Sequence, residues 1–130
     1  MVHQESVTLA ERAEHHHAGL RDAAAQVRAI VGLPLTAYLA NAGTVQEFVT
    51  SVEKTGNGSD DVFTPRLAAV LELATVFRAA NALSRMRSWL REVDERLDNR
   101  SPASLIRESP DNSANRGLRA AVQRHLQADR

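Results

Sequence analysis

The chain contains no cysteine, so neither a disulfide framework nor a thiolate zinc site can be built from it. Prolines number four in 130 residues and aromatic side chains five, which leaves alanine, leucine, valine and arginine to carry the structure and favours helices throughout. Lysine is almost missing, with one (Lys54) against fifteen arginines. No apolar run approaches the roughly 18 residues of a membrane helix. No charged-then-apolar leader opens the chain either, so a soluble, cytoplasmic protein without a membrane partner is expected.

What is present organises itself around residues 66–109. Leu67, Val70, Leu71, Ala74, Phe77, Ala80 and Leu83 recur at the three-and-four spacing of one buried helical face. Thr64 and Pro65 stand before it as a cap residue and a first-turn proline. A second amphipathic piece holds Trp89, Leu90, Val93 and Leu97. After a polar break, Ser101 can cap a helix with Pro102 in its first turn and Leu105 and Ile106 facing inward. A last helix is expected from Leu118 to about Gln127, with Val122 and Leu126 inward.

The N-terminal half reads differently. Residues 7–31 are helix-compatible in two pieces joined near Gly19. His15, His16 and His17 invite a metal reading, but consecutive side chains on a helix splay about 100° apart and cannot chelate together. Gly32 ends that segment. Then LTAYLANAGTVQEFVTSVEKTG has the outline of a helix-turn-helix, with Leu39 apolar, Gly43 as turn glycine, Thr44 as cap, and Phe48, Val49 and Val52 buried. Its second helix exposes Gln46, Glu47, Thr50, Ser51, Glu53 and Lys54. Thr44, Gln46, Thr50 and Lys54 are the candidate DNA contacts, because Gln pairs with adenine in the major groove and Lys54 can meet a phosphate. Glu47 and Glu53 oppose phosphate approach. Residues 55–63 form a polar loop whose Asp60 and Asp61 lack the alternating ligands of a calcium loop.

Charge is unevenly spread. Residues 1–63 carry eight acids and four bases and residues 64–130 eight acids and twelve arginines, so the halves stand at −4 and +4. A polyanion or an acidic protein rim is therefore drawn to the second half. Five histidines without a nucleophile or paired carboxylate at a suitable spacing give no catalytic set, so no enzyme is expected, and no metal or cofactor.

From Leu35 onward, the chain resembles the Xre/MbcA/ParS-type antitoxins of bacterial toxin–antitoxin pairs. The residues that carry the resemblance are the helix-turn-helix outline, the helix RLAAVLELATVFRAANAL, the pair Trp89-Leu90, and the stretch LDNRSPASLIRES. REVDE stands where the family usually has an Asn/Pro-rich turn, and Asp98-Asn99 where it often has two glycines. The chain also closes on Gln127-Ala128-Asp129-Arg130 rather than on an apolar tail.

The resemblance implies an all-α bundle. A degenerate helix-turn-helix unit (1–63) would join a helical toxin-binding domain (64–130). The implied partner is a RES-domain toxin that consumes NAD, its active site covered by the antitoxin, with operator DNA and a second copy of the chain as further partners. The toxin-binding surface is then expected at Arg100, Ser101, Pro102, Ser104 and Arg107 and on the last helix at Arg119 and Arg124. The alternative is a helix-turn-helix transcriptional regulator without a toxin.

Overall fold

The computed structural model describes residues 19–54, 62–110 and 113–128. The histidine triplet, Asp60, Asp61 and the N-terminal part of the first expected helix lie outside these. The fold is all-α. The elements are α1 (19–31), α2 (Leu33–Leu39), α3 (Val45–Glu53), α4 (Thr64–Ala79), α5 (Met86–Arg91), α6 (Pro102–Glu108) and α7 (Asn115–Ala128). Single 3-10 turns at Leu83–Arg85 and Glu95–Leu97 flank α5. Among the described residues there is no strand, only an isolated bridge between Asp94 and Arg100. No described helix is long and apolar enough to cross a membrane.

Helix α4 is the centre, packed against α2, α6 and α7. Its apolar residues do not form a single stripe. Leu67, Val70, Ala74 and Phe77 are buried as the spacing predicts, but so are Ala69 and Leu73. A helix covered on most sides has no reason to keep a polar face. It begins one residue earlier than the sequence suggests. Phe63 takes the cap position and Thr64 lies inside the first turn, so the expected threonine cap is not made. It ends at Ala79 because Asn81 turns left-handed (φ 57°) and the Ala82 amide reaches back to the Phe77 carbonyl. Ala80 and Leu83 therefore lie past the helix.

The α2–α3 hairpin forms with one correction. Helix α2 stops at Leu39, and the left-handed residue of the turn is Asn41 (φ 68°), not Gly43. Asparagine takes that conformation at little cost, which frees Gly43 from the role. Thr44 caps α3 as expected, accepting from the Glu47 amide at 3.0 Å. Phe48 is buried and stacks obliquely on Phe63 at 5.5 Å, while Val49 and Val52 are half-buried.

One hydrophobic core runs through both halves of the chain. Leu20, Val27 and Val31 of α1, Leu39 and Phe48 share it with Leu67, Phe77, Leu90, Ile106 and Val122. Trp89 is 4% exposed and meets the Phe77 ring at 5.3 Å. Leu71, Leu97, Leu105 and Leu126 pack at its edge and are half-buried rather than fully enclosed.

Candidate functional site

Helix α5 is short for a reason the sequence hides. Residues 92–96 are helix-compatible, yet Glu92 is extended (ψ 132°) and the chain folds into a closed turn. The Asp94 amide donates to the Arg100 carbonyl at 3.1 Å, and the Asp94 carbonyl accepts from Leu97 and Asn99. Its carboxylate accepts from the Arg96 amide at 2.9 Å. Asp98 and Asn99 both sit left-handed, at φ 58° and 59°. Consecutive left-handed residues reverse the chain within two positions and deliver Ser101 to the start of α6. There Ser101 Oγ accepts from the Ser104 amide at 3.2 Å, and Pro102 follows in the first turn.

This turn forms one wall of an open groove of about 360 Å³, and α7 forms the other. Val93 stands on the turn side, 67% exposed, with Arg96 beside it. Trp89, Pro102 and Ala121 contribute apolar lining, Glu92, Asp94 and Glu95 line it on the turn side, and Arg124 and His125 line it from α7. The Arg124 Nε is buried and has no hydrogen-bond partner among the described residues. Arg85 holds His125 through its Nε2 at 3.2 Å. Because a guanidinium only donates, that nitrogen is the acceptor.

The expected toxin-binding residues do not all meet there. Pro102 and Arg124 line the groove. Ser101 and Ser104 build the α6 cap, and Arg100 pairs with Glu108. Arg119 is exposed on α7 but is not part of the groove. Arg107 turns away altogether. Its Nη1 donates to the Tyr38 carbonyl at 2.8 Å and its Nη2 to that of Ala42 at 3.3 Å, and its guanidinium lies 4.6 Å from the Tyr38 ring centroid. An arginine so committed to the α2–α3 turn is an internal tie. Val93, Asp94 and Arg96 were missed from the sequence, because nothing local marks the break that exposes them.

A second, shallower concavity of about 480 Å³ lies along α3 and gathers Thr44, Gln46 and Thr50 with Glu47 and Ser51. Lys54 is exposed at the end of α3 and lies outside it. Thr44 Oγ1 is already engaged as the cap, and Gln46 lies 3.4 Å from the Thr50 hydroxyl. This face holds one carboxylate and no arginine. Comparison with family models, with curated proteins and with solved structures finds no match for this chain.

Proposed function

We propose that this chain is an antitoxin-like binding protein that neutralises a RES-type, NAD-consuming toxin by docking onto it with the groove between the 92–101 turn and α7. The observation that carries this reading is the turn itself. At the two positions where the resembled family often has glycines, Asp98 and Asn99 adopt the backbone that glycine favours. The helix-compatible stretch before them is broken, as the family's turn would require. Exposed Val93 stands among side chains of both charge signs, Glu92, Asp94 and Glu95 with Arg96 and Arg124, which suits a protein partner of mixed charge better than a small molecule.

Operator binding through α2–α3, with a second copy of the chain, belongs to the same reading as an accessory activity. The regulator alternative, in which the chain reads DNA alone, is less well supported: Glu47 shares the concavity of Gln46 and Thr50, where a phosphate would approach, and that concavity holds no arginine or lysine among the described residues. The expected dimer cannot draw on the buried apolar residues of α1, since Leu20, Ala23, Ala24, Val27 and Val31 pack into the chain's own core.

The test is co-expression with a RES-domain toxin encoded beside this chain, scoring growth and cellular NAD. The wild-type chain should restore both. Val93→Asp and Arg96→Glu, both at exposed positions of the groove, should each lose the rescue while the purified variants keep a wild-type melting curve. Full rescue by both variants would place the inhibitory surface elsewhere, and no rescue by the wild-type chain would remove the antitoxin reading.

A further inference from the structure

One arginine, Arg107, joins α6 to the α2–α3 hairpin, and a second, Arg66 of α4, holds the Arg107 backbone. Arg66, only 8% exposed, donates from Nε to the Arg107 carbonyl at 2.9 Å and from Nη1 to the Val62 carbonyl at 3.1 Å. Arg107 in turn donates to the Tyr38 and Ala42 carbonyls, 69 and 65 residues away in sequence, and covers the Tyr38 ring. Tyr38 lies in the last turn of α2, and Ala42 lies two residues before the cap of α3. The carbonyls at a helix end have no partner within the helix, and the Tyr38 carbonyl accepts from both the Asn41 amide of the turn and Arg107. A planar fork of donors from another element satisfies two acceptors at once and fixes their relative position, which a lysine ammonium cannot do with the same geometry.

The other end of α6 is tied to the docking turn. Ser101, its cap, follows directly on Arg100, whose carbonyl closes the bridge with Asp94 and whose guanidinium pairs with Glu108, the neighbour of Arg107. The seven residues of α6 thus connect a turn that lines the groove to the turn that sets α3.

We propose that Arg107 is a latch through which the state of α6 governs how firmly the α2–α3 turn and the first turn of α3 are held. Arg107 is a positioning residue. It touches neither the groove nor the outer face of α3, but it makes one respond to the other. The regulatory meaning rests on the docking reading above: a partner seated against the 92–101 turn steadies α6, and the latch passes that to α3. The latch itself needs no partner. By linkage, whatever orders α3 then also favours the groove.

The experiment is amide hydrogen exchange on the full chain, without a partner, for wild type, Arg107→Ala, Arg107→Lys, Ser101→Ala and the double variant Ser101→Ala/Arg107→Ala. The reporters are the Asn41, Ala42, Glu47 and Phe48 amides, each hydrogen-bonded within the turn or the first turn of α3. The Val70 to Phe77 amides of α4 serve as the reference.

Arg107→Ala should speed exchange at the reporters about tenfold or more, as loss of bonds from a charged donor does, with α4 unchanged. Arg107→Lys should fall between the two and covers the case in which the alanine variant does not fold. Ser101→Ala, which loosens α6 at its cap, should speed the reporters in the wild-type background and add nothing once Arg107 is gone. Equal acceleration at the reporters and in α4 would reduce Arg107 to a general stabiliser. Additive effects of the two substitutions, or no effect of Ser101→Ala on the reporters, would overturn the coupling. If the latch behaves as expected but no toxin is neutralised, the docking reading fails and the latch stands.

Discussion

Trp89 and the left-handed pair Asp98-Asn99 show two different ways in which a single residue holds this fold. Trp89 contributes buried area. It is enclosed and lies obliquely against Phe77, whose own ring is fully buried and faces His125 on its other neighbour helix. Trp89→Ala should cost about 3–5 kcal/mol, because the surrounding side chains collapse only partly into the space. Urea unfolding followed by circular dichroism measures it. Asp98 and Asn99 contribute backbone geometry instead. Glycine at either position should be tolerated within about 0.5 kcal/mol, since relief at positive φ offsets the greater freedom of the unfolded chain. Asn99→Val should cost about 1–2 kcal/mol, the penalty of a branched side chain held left-handed. The same urea series compares the three. A finding that valine and glycine are equally tolerated at residue 99 would mean that the turn does not need this backbone. The apolar spacing marked Phe77 and Trp89 as core in advance. Left-handed Asp and Asn are far less visible, because both residues also occur freely in ordinary polar loops.

At the scale of elements, legibility follows how local the cause is. Helices α3 and α6 were readable because their signals lie within a few residues, Thr44 and Ser101 as caps and Pro102 in the first turn. Helix α7 was readable only in its apolar spacing: it begins at Asn115 rather than Leu118, where the buried Asn115 side-chain amide donates to the Ala69 carbonyl and the Glu72 carboxylate. The stop of α5 was not readable. Residues 92–96 have no proline or glycine, and what ends the helix is a bridge to Arg100 and the half-burial of Leu97. Half of the expected arginine surface was displaced for the same kind of reason. Charge counts say how many guanidinium groups a segment has, but only tertiary contact shows that Arg107 is turned to Tyr38 and Ala42 and Arg100 to Glu108. The composition of α3 supports a prediction about DNA. With Lys54 its only base and Glu47 and Glu53 nearby, the full chain should bind random duplex DNA through α3 weakly. The dependence of log affinity on log salt should have a slope no steeper than about −2. A steep slope that flattened on Lys54→Ala and Gln46→Ala together would show that α3 does meet the phosphate backbone.

Across the whole molecule, the two charge-opposed halves meet in one core, and this decides how the chain unfolds. Leu39 and Phe48 from before residue 63 are as enclosed as Leu67, Ile106 and Val122 from after it, and α2 packs on both α4 and α6. Removing either half would expose the apolar face of the other. A deletion of residues 110–130 would likewise strip Leu118, Ala121 and Val122 from α4, so it tests folding before it tests binding. Trp89 is the only tryptophan and lies after residue 63, which makes it a local probe, whereas helical circular dichroism reports on the entire chain. If residues 1–63 and 64–130 unfold as one unit, fluorescence and circular dichroism must give the same urea midpoint and the same slope. That coincidence is the expected result. It should hold in Phe48→Ala as well, with both signals shifted together by about 3–5 kcal/mol although the lost ring belongs to the half without the tryptophan. A fluorescence transition that stayed in place while the circular dichroism split into two steps would mean that the boundary at residue 63 separates independent folding units.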